Sequence, residues 1–305
     1  MNLTAHDVAS ADGTRLRVWE HGPDDADEAV LFWHGGMTSS KALFAPPLPG
    51  EDFWLAFAAE KGQKAYTMYV RGYGESERPP EMDAPRDESG PPARAATAAE
   101  DAAAGLSFVR ERFDRVHVVG VSWGTMYGGY LLAEEDPEVA TLTQCAPVFV
   151  PPYDIEDGLA ALGLDPADLE RAYFKEEKDV VMARQGMDEP TPLFEAVWTT
   201  QVESGQGVDG EDAYVAQTGA LADLGVGCDG GRVYDPGEID RPSLVVRASA
   251  DPTAQRSDAM TLFDELGAAE DRKEYAEVAG GDHFVFHGPR RRALYDVVYR
   301  FQQRY

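Results

Sequence analysis

The sequence is poor in cysteine. Cys145 and Cys228 are its only two among 305 residues, enough for one bridge and without metal-ligand spacing. This excludes a disulfide scaffold and a thiolate metal centre, and no cofactor is expected. Long hydrophobic runs are also missing: none approaches the ~18 residues needed to cross a bilayer. The opening "MNLTAHDVAS" has neither the basic region nor the apolar core of a secretory leader. A cytoplasmic chain without a membrane partner is the expectation. Positive charge is scarce, with 27 Lys and Arg against 55 Asp and Glu for a net charge of −28. A field of that sign repels phosphate backbones and argues against a nucleic-acid partner. The acidity reads as a heavily solvated surface, with a specific basic partner as the weaker reading.

Hydrophobic residues are plentiful at 43%, which allows a sizeable core and excludes wholesale disorder. Short apolar runs read as strands at 16–19, 29–33, 64–70, 116–121, 140–146, 243–248 and 273–278. Segments of helical period lie between many of them. One spans 97–113, opened by Thr97 with Glu100 three residues on, a capping-box pattern, and carries Ala99, Ala102, Leu106, Val109 and Phe113 as its apolar stripe. A second presents Ala259, Leu262, Phe263 and Leu266, with Gly267 as its expected stop. A third closes the chain with Leu294, Val297, Val298 and Phe301. Strand and helix in alternation predict an α/β fold, a mostly parallel, doubly wound sheet covered on both faces.

The alternation breaks between about 149 and 237, where the pattern is helical or loop-like with no convincing strand. Residues 149–237 therefore read as an insertion between a first core part, 1–148, and a second, 238–305. Within it, "GVGCDG" at 225–230 fits a dinucleotide fingerprint, but follows no apolar strand and opens no helix. It reads as a flexible connector.

The chemistry concentrates at "VHVVGVSWGTMYGG", 116–129. A buried strand there runs into Gly120-Val121-Ser122-Trp123-Gly124 and then a helix start. That context presents a serine at a tight corner, where glycines remove collisions with neighbouring backbone. The helix N-terminus behind it favours negative charge. Such a nucleophile needs a base and the base an orienting acid. Asp251 ends the strand "PSLVVRASAD", and His283 lies just past the next strand in "VAGGDHFVF". Serine, acid, histidine is the order of a triad on this kind of sheet, and all three fall where open α/β sheets bind ligands. His287, read as a surface residue or one at a helix start, is a weaker base. Asp154 is a weaker acid, and Asp282 should point away from its neighbour. An oxyanion hole needs N–H donors facing the developing charge. Trp123 supplies one, and Gly36 in "HGGM" the other, with Met37 next in preference.

These motifs together resemble the α/β-hydrolase fold, over residues 1–148 and 238–305. The resemblance rests on "HGG" at 34–36, "RGYGES" at 71–76, "GVSWG" at 120–124, "SADPTA" at 249–254 and "GGDHF" at 280–284. It implies that 149–237 is a mainly helical cap, and that a small-molecule acyl substrate is transferred to Ser122 and then released by water activated by His283. An ester, lactone, thioester or amide fits. "HGG" with "GVSWG" is also similar to the proline iminopeptidase branch, although Met37 replaces its usual proline and Tyr69 the family's usual aspartate. A lyase or cofactor-free enzyme using His283 as base is a further alternative. Serine in place of aspartate argues against epoxide hydrolase and dehalogenase chemistry.

Overall fold

A computed structural model describes residues 1–305. Eight of its ten strands form one twisted sheet: β1 (Thr4–Ala9), β2 (Arg15–His21), β3 (Ala29–Trp33), β4 (Lys64–Met68), β5 (Val116–Val121), β6 (Thr141–Cys145), β9 (Ser243–Ala248) and β10 (Lys273–Val278). Their order across the sheet is β1-β2-β4-β3-β5-β6-β9-β10. β1 and β2 pair antiparallel, β2 meets β4 antiparallel, and every later pairing is parallel. β3 and β5 are buried along their whole length, because helices cover both faces and leave no polar side. Side chains alternate between those faces: Leu31 and Trp33 pack into one apolar cluster, Val30 and Phe32 into the other.

The strands expected from apolar runs are all present within a residue or two. β1 escaped notice because it is a half-exposed edge strand of mixed polarity. The remaining two strands, β7 (Tyr173–Glu177) and β8 (Ala213–Gln217), pair antiparallel as a separate sheet within 149–237. This corrects the reading of that segment as strandless. In β7 the two inward residues are Phe174 and Glu176, the latter buried against Arg184. A charged side chain at a buried position disguises the alternation.

Two expectations about the helices are also corrected. The helix expected at 97–113 spans Ala95–Arg110 and uses no Thr97–Glu100 capping box. Its first N–H, that of Ala95, donates instead to Asp223 Oδ2 at 2.7 Å, so a carboxylate 128 positions away caps it. Gly225–Cys228, read as a flexible connector, is the last turn of the helix Gly219–Cys228. Gly227 is needed there because a Cβ would meet the Phe149 carbonyl at 2.5 Å.

The helix Arg256–Glu265 ends just before Gly267, the expected stop, and Gly267 fills that place without a left-handed conformation. Its role is close approach: a Cβ would stand 2.0 Å from the Gly237 carbonyl oxygen. Gly267→Ala is expected to lower the unfolding free energy by ~1–3 kcal/mol, the usual cost of overpacking, measured by urea denaturation. An unchanged midpoint would mean that the 236–239 turn moves aside without cost.

Candidate active site

The end of β5 decides where the functional side chains stand. Ser122 follows it with φ +53° and ψ −119°, and the helix Trp123–Glu135 starts at the next residue. A non-glycine residue in such backbone costs on the order of 1–3 kcal/mol and persists only where the surroundings over-determine it. Here they do. The Ser122 N–H donates to the Cys145 carbonyl at 3.0 Å. A Cβ on Gly120 would lie 2.4 Å from the Gly124 carbonyl oxygen, and one on Gly124 would lie 2.5 Å from that of Trp33. Both motif glycines are fixed by backbone contact.

The Ser122 hydroxyl is 3.2 Å from His283 Nε2. On the other side of the ring, His283 Nδ1 lies 2.9 and 3.1 Å from the two Asp251 oxygens. Three residues distant in sequence thus form one chain of hydrogen bonds at the carboxyl edge of the sheet. Asp251 is buried, which pushes its carboxyl up, but His283 and the N–H groups of Ala254 and Thr253 outweigh burial and hold it below the usual carboxylate range. An ionised Asp251 accepts from Nδ1–H, so Nε2 is left free to take the serine proton.

The weaker candidates stand apart from this chain. Asp154 is exposed at the start of the helix Ile155–Leu162. Asp282 turns to the Phe284 N–H. His287 is not a surface residue: it is buried, its Nε2 donates to the Leu43 carbonyl at 2.8 Å, and burial lowers its pKa to about 4. It is a neutral core histidine.

Gly35 and Gly36 run alongside the serine, and a Cβ on Gly35 would come within 3.2 Å of Ser122 Cβ. The N–H groups of Gly36 and Met37 have no acceptor in the protein. Trp123 opens its helix, where the first N–H groups lack intrahelical partners. Behind them lies a layer that sequence reasoning missed. His34 is buried, and burial lowers its pKa to about 4, so it stays neutral. Its Nδ1 donates to the Gly35 carbonyl at 2.7 Å and its Nε2 accepts from the Val70 N–H. Tyr73 donates to the Gly36 carbonyl at 2.9 Å. The Trp123 indole donates to Asp223 at 2.9 Å, and Arg94 pairs with the same carboxylate. A lone carboxylate in the apolar run "GALADLGVG" was the one available signal for Asp223.

A model of the alpha/beta hydrolase family matches residues 30–296, a stretch that contains every group just described. The chain belongs to the alpha/beta hydrolase family. No curated protein matches its sequence. Among solved structures, this alpha/beta hydrolase is similar to an esterase from Exiguobacterium antarcticum, with 15% identity and a TM-score of 0.68 over 98% of this chain and 100% of that one. It is similar to an E-2-(acetamidomethylene)succinate hydrolase, with 21% identity and a TM-score of 0.68 over 98% and 99%. The thioesterase domain from the curacin biosynthetic pathway gives 14% identity and a TM-score of 0.62 over 98% and 100%. At such identities the likeness is one of fold.

No group of three or more His, Cys, Asp or Glu is placed to hold a metal ion, and no helix is long and apolar enough to cross a membrane. Asp251→Asn is expected to lower kcat by roughly 10⁴, since the amide holds His283 in the wrong tautomer, while Asp154→Asn leaves kcat within twofold of wild type. Steady-state kinetics on a p-nitrophenyl ester decide between them, and the opposite ranking would reassign the acid.

Proposed function

We propose that this protein is a serine hydrolase of small-molecule acyl compounds, an ester, thioester, lactone or amide, working through Ser122, His283 and Asp251. The observation that carries the reading is the imidazole of His283 hydrogen-bonded to Asp251 on one nitrogen and to the Ser122 hydroxyl on the other. In the first step Ser122 Oγ attacks the acyl carbonyl and its proton passes to His283 Nε2. The tetrahedral oxyanion is held by the Trp123 and Gly36 N–H groups, with Met37 next in line. Collapse expels the leaving group, which takes the proton from His283, and leaves an ester on Ser122. Water then repeats the sequence with His283 as base and frees the acid.

The esterase and thioesterase neighbours support an acyl substrate. An aminopeptidase would need free carboxylates to hold a substrate ammonium. In the 149–237 segment Glu176, Glu177 and Glu195 are paired with Arg184, Lys175 and Lys178, and Glu189 and Glu203 are exposed. None of these five is hydrogen-bonded to Ser122 or His283, and the iminopeptidase-like alternative is not favoured.

Residues 149–237 act in this proposal as a cap between core parts 1–148 and 238–305. Ala220 of the segment packs over Gly36, where a Cβ would meet its own at 2.5 Å, which supports the placement.

Two tests follow. A fluorophosphonate is expected to label the wild type at Ser122, and Ser122→Ala to lose both labelling and turnover while keeping its thermal midpoint. Wild-type turnover in a folded Ser122→Ala protein would refute the nucleophile and favour a mechanism with His283 as base alone. Substitutions on the core-facing side of the cap are expected to reorder kcat/KM across a panel of p-nitrophenyl esters while fluorophosphonate labelling persists. An unchanged ranking would place selectivity in the loops around Met37 and Tyr73.

A further inference from the structure

The loop that carries the Gly36 N–H has no stiffness of its own. Glycines at 35 and 36 leave its backbone free to rotate, so outside contacts must fix it. A peptide unit is planar, and holding a carbonyl therefore orients the N–H of the next residue. The Gly35 carbonyl is held by His34 and the Gly36 carbonyl by Tyr73, both from the core. The Met37 carbonyl is held from the inserted segment. It accepts from Gln201 Nε2 at 3.2 Å and from the Tyr214 hydroxyl at 3.2 Å. Gln201 also accepts the Ser39 N–H on Oε1 at 3.2 Å, so one side-chain amide brackets the loop.

The local structure of the segment aims these groups. The helix Pro192–Gln201 widens into a π turn, Val202–Gln206, of the kind that recurs at functional sites. Gly205 within it has φ +98°, and a Cβ there would stand 2.9 Å from the Gly74 carbonyl oxygen. The turn brings Gln206 beside Gln201, and both amides are buried. Gln206 Oε1 accepts the Ser39 hydroxyl at 2.7 Å and the Gly74 N–H at 3.2 Å, while its Nε2 donates to the Val215 carbonyl at 2.9 Å. The Ser39 hydroxyl has one proton and gives it to the shorter contact, which leaves Gln201 to the Ser39 N–H. Every polar atom of the two amides is used. A buried network in which every amide nitrogen and oxygen has a partner favours one geometry, whereas an apolar contact would serve packing alone.

We propose that Gln201 and Tyr214 are positioning residues for the oxyanion hole. His34 and Tyr73 set the Gly36 and Met37 N–H groups directly. By pinning the Met37 carbonyl and the Ser39 N–H, Gln201 and Tyr214 anchor the Met37–Thr38 peptide that follows, which keeps the Gly36–Met37 stretch against Ser122 only while the 149–237 segment is seated. The inference rests on Ser122 being the nucleophile. It makes seating of the segment part of transition-state stabilisation, beyond any role in selecting or covering the substrate.

The experiment uses the full chain and three probes: a fluorophosphonate, p-nitrophenyl butyrate, and a trifluoromethyl ketone that forms a tetrahedral adduct with the serine. Gln201→Met keeps length and burial but removes both bonds, and Tyr214→Phe removes one hydroxyl. Direct loss of an oxyanion donor costs about 10²–10³, so loosening one is expected to lower kcat and the labelling rate about tenfold in Gln201→Met. KM should stay within twofold, and the ketone should weaken by the same factor as kcat, because adduct and transition state share the oxyanion. Tyr214→Phe should shift the same quantities together by a smaller factor. A loss of kcat without matching loss of ketone affinity, or a folded Gln201→Met with wild-type values, overturns the proposal. If Gln201→Met does not fold, unchanged ketone affinity in Tyr214→Phe overturns it. Wild-type protein that does not label, or labels equally as Ser122→Ala, instead defeats the nucleophile reading and the positioning role with it.

Discussion

The backbone of Ser122 is the constraint around which the site is arranged. A residue with a side chain is held at φ +53° between a buried strand and a helix, and such strain is tolerated only where neighbours leave the chain no alternative. β3 and β6 flank β5 in the sheet, and the Cys145 carbonyl takes the Ser122 N–H. Gly124 lies so close to the Trp33 carbonyl that no side chain fits. The turn therefore depends on both neighbouring strands being in register. The same closeness lifts the hydroxyl above the sheet edge, where His283 reaches it from beyond β10.

Electrostatics at the site run against the character of the whole chain. A protein of net charge −28 carries most of that charge in water, where each carboxylate costs little. Two buried carboxylates, one bonded to His283 and one to Trp123, are each surrounded by donors. Asp251 receives His283 and two backbone N–H groups. Asp223 receives the Trp123 indole, the Ala95 N–H and Arg94, although burial still holds its pKa above the ordinary value. Each joins parts of the chain that are far apart in sequence, and an unpartnered carboxylate in either place would be costly. Asp223 in particular ties the helix Gly219–Cys228 to Trp123, the residue after Ser122.

The sheet was legible because burial on both faces leaves a direct trace, a run of apolar residues such as "AVLFW" or "VHVVGV" bounded by turns. Ser122, Asp251 and His283 were legible for a related reason. Each sits at the end of a strand with a local pattern around it, so topology alone carries them to one edge. β1, β7 and the true cap of the helix Ala95–Arg110 left no such trace. An edge strand is half polar, Glu176 is a charge facing inward, and the capping carboxylate comes from across the fold.

The order of motifs along the chain determined the family, the strand ends and the candidate nucleophile, base and acid, since these follow from local chemistry and from the rule that parallel strands deliver their loops to one edge. Only the tertiary structure decided what holds the loop of Gly35, Gly36 and Met37. The amides of Gln201 and Gln206 and the phenol of Tyr214 carry no pattern in sequence, and although His34 and Tyr73 fall in the "HGG" and "RGYGES" motifs, nothing local tells that they hold the Gly35 and Gly36 carbonyls. Hydrogen bonds across 164 and 177 positions, from Gln201 and Tyr214 to Met37, are specified by packing and by the need to satisfy buried polar groups, and neither exists until the chain has folded.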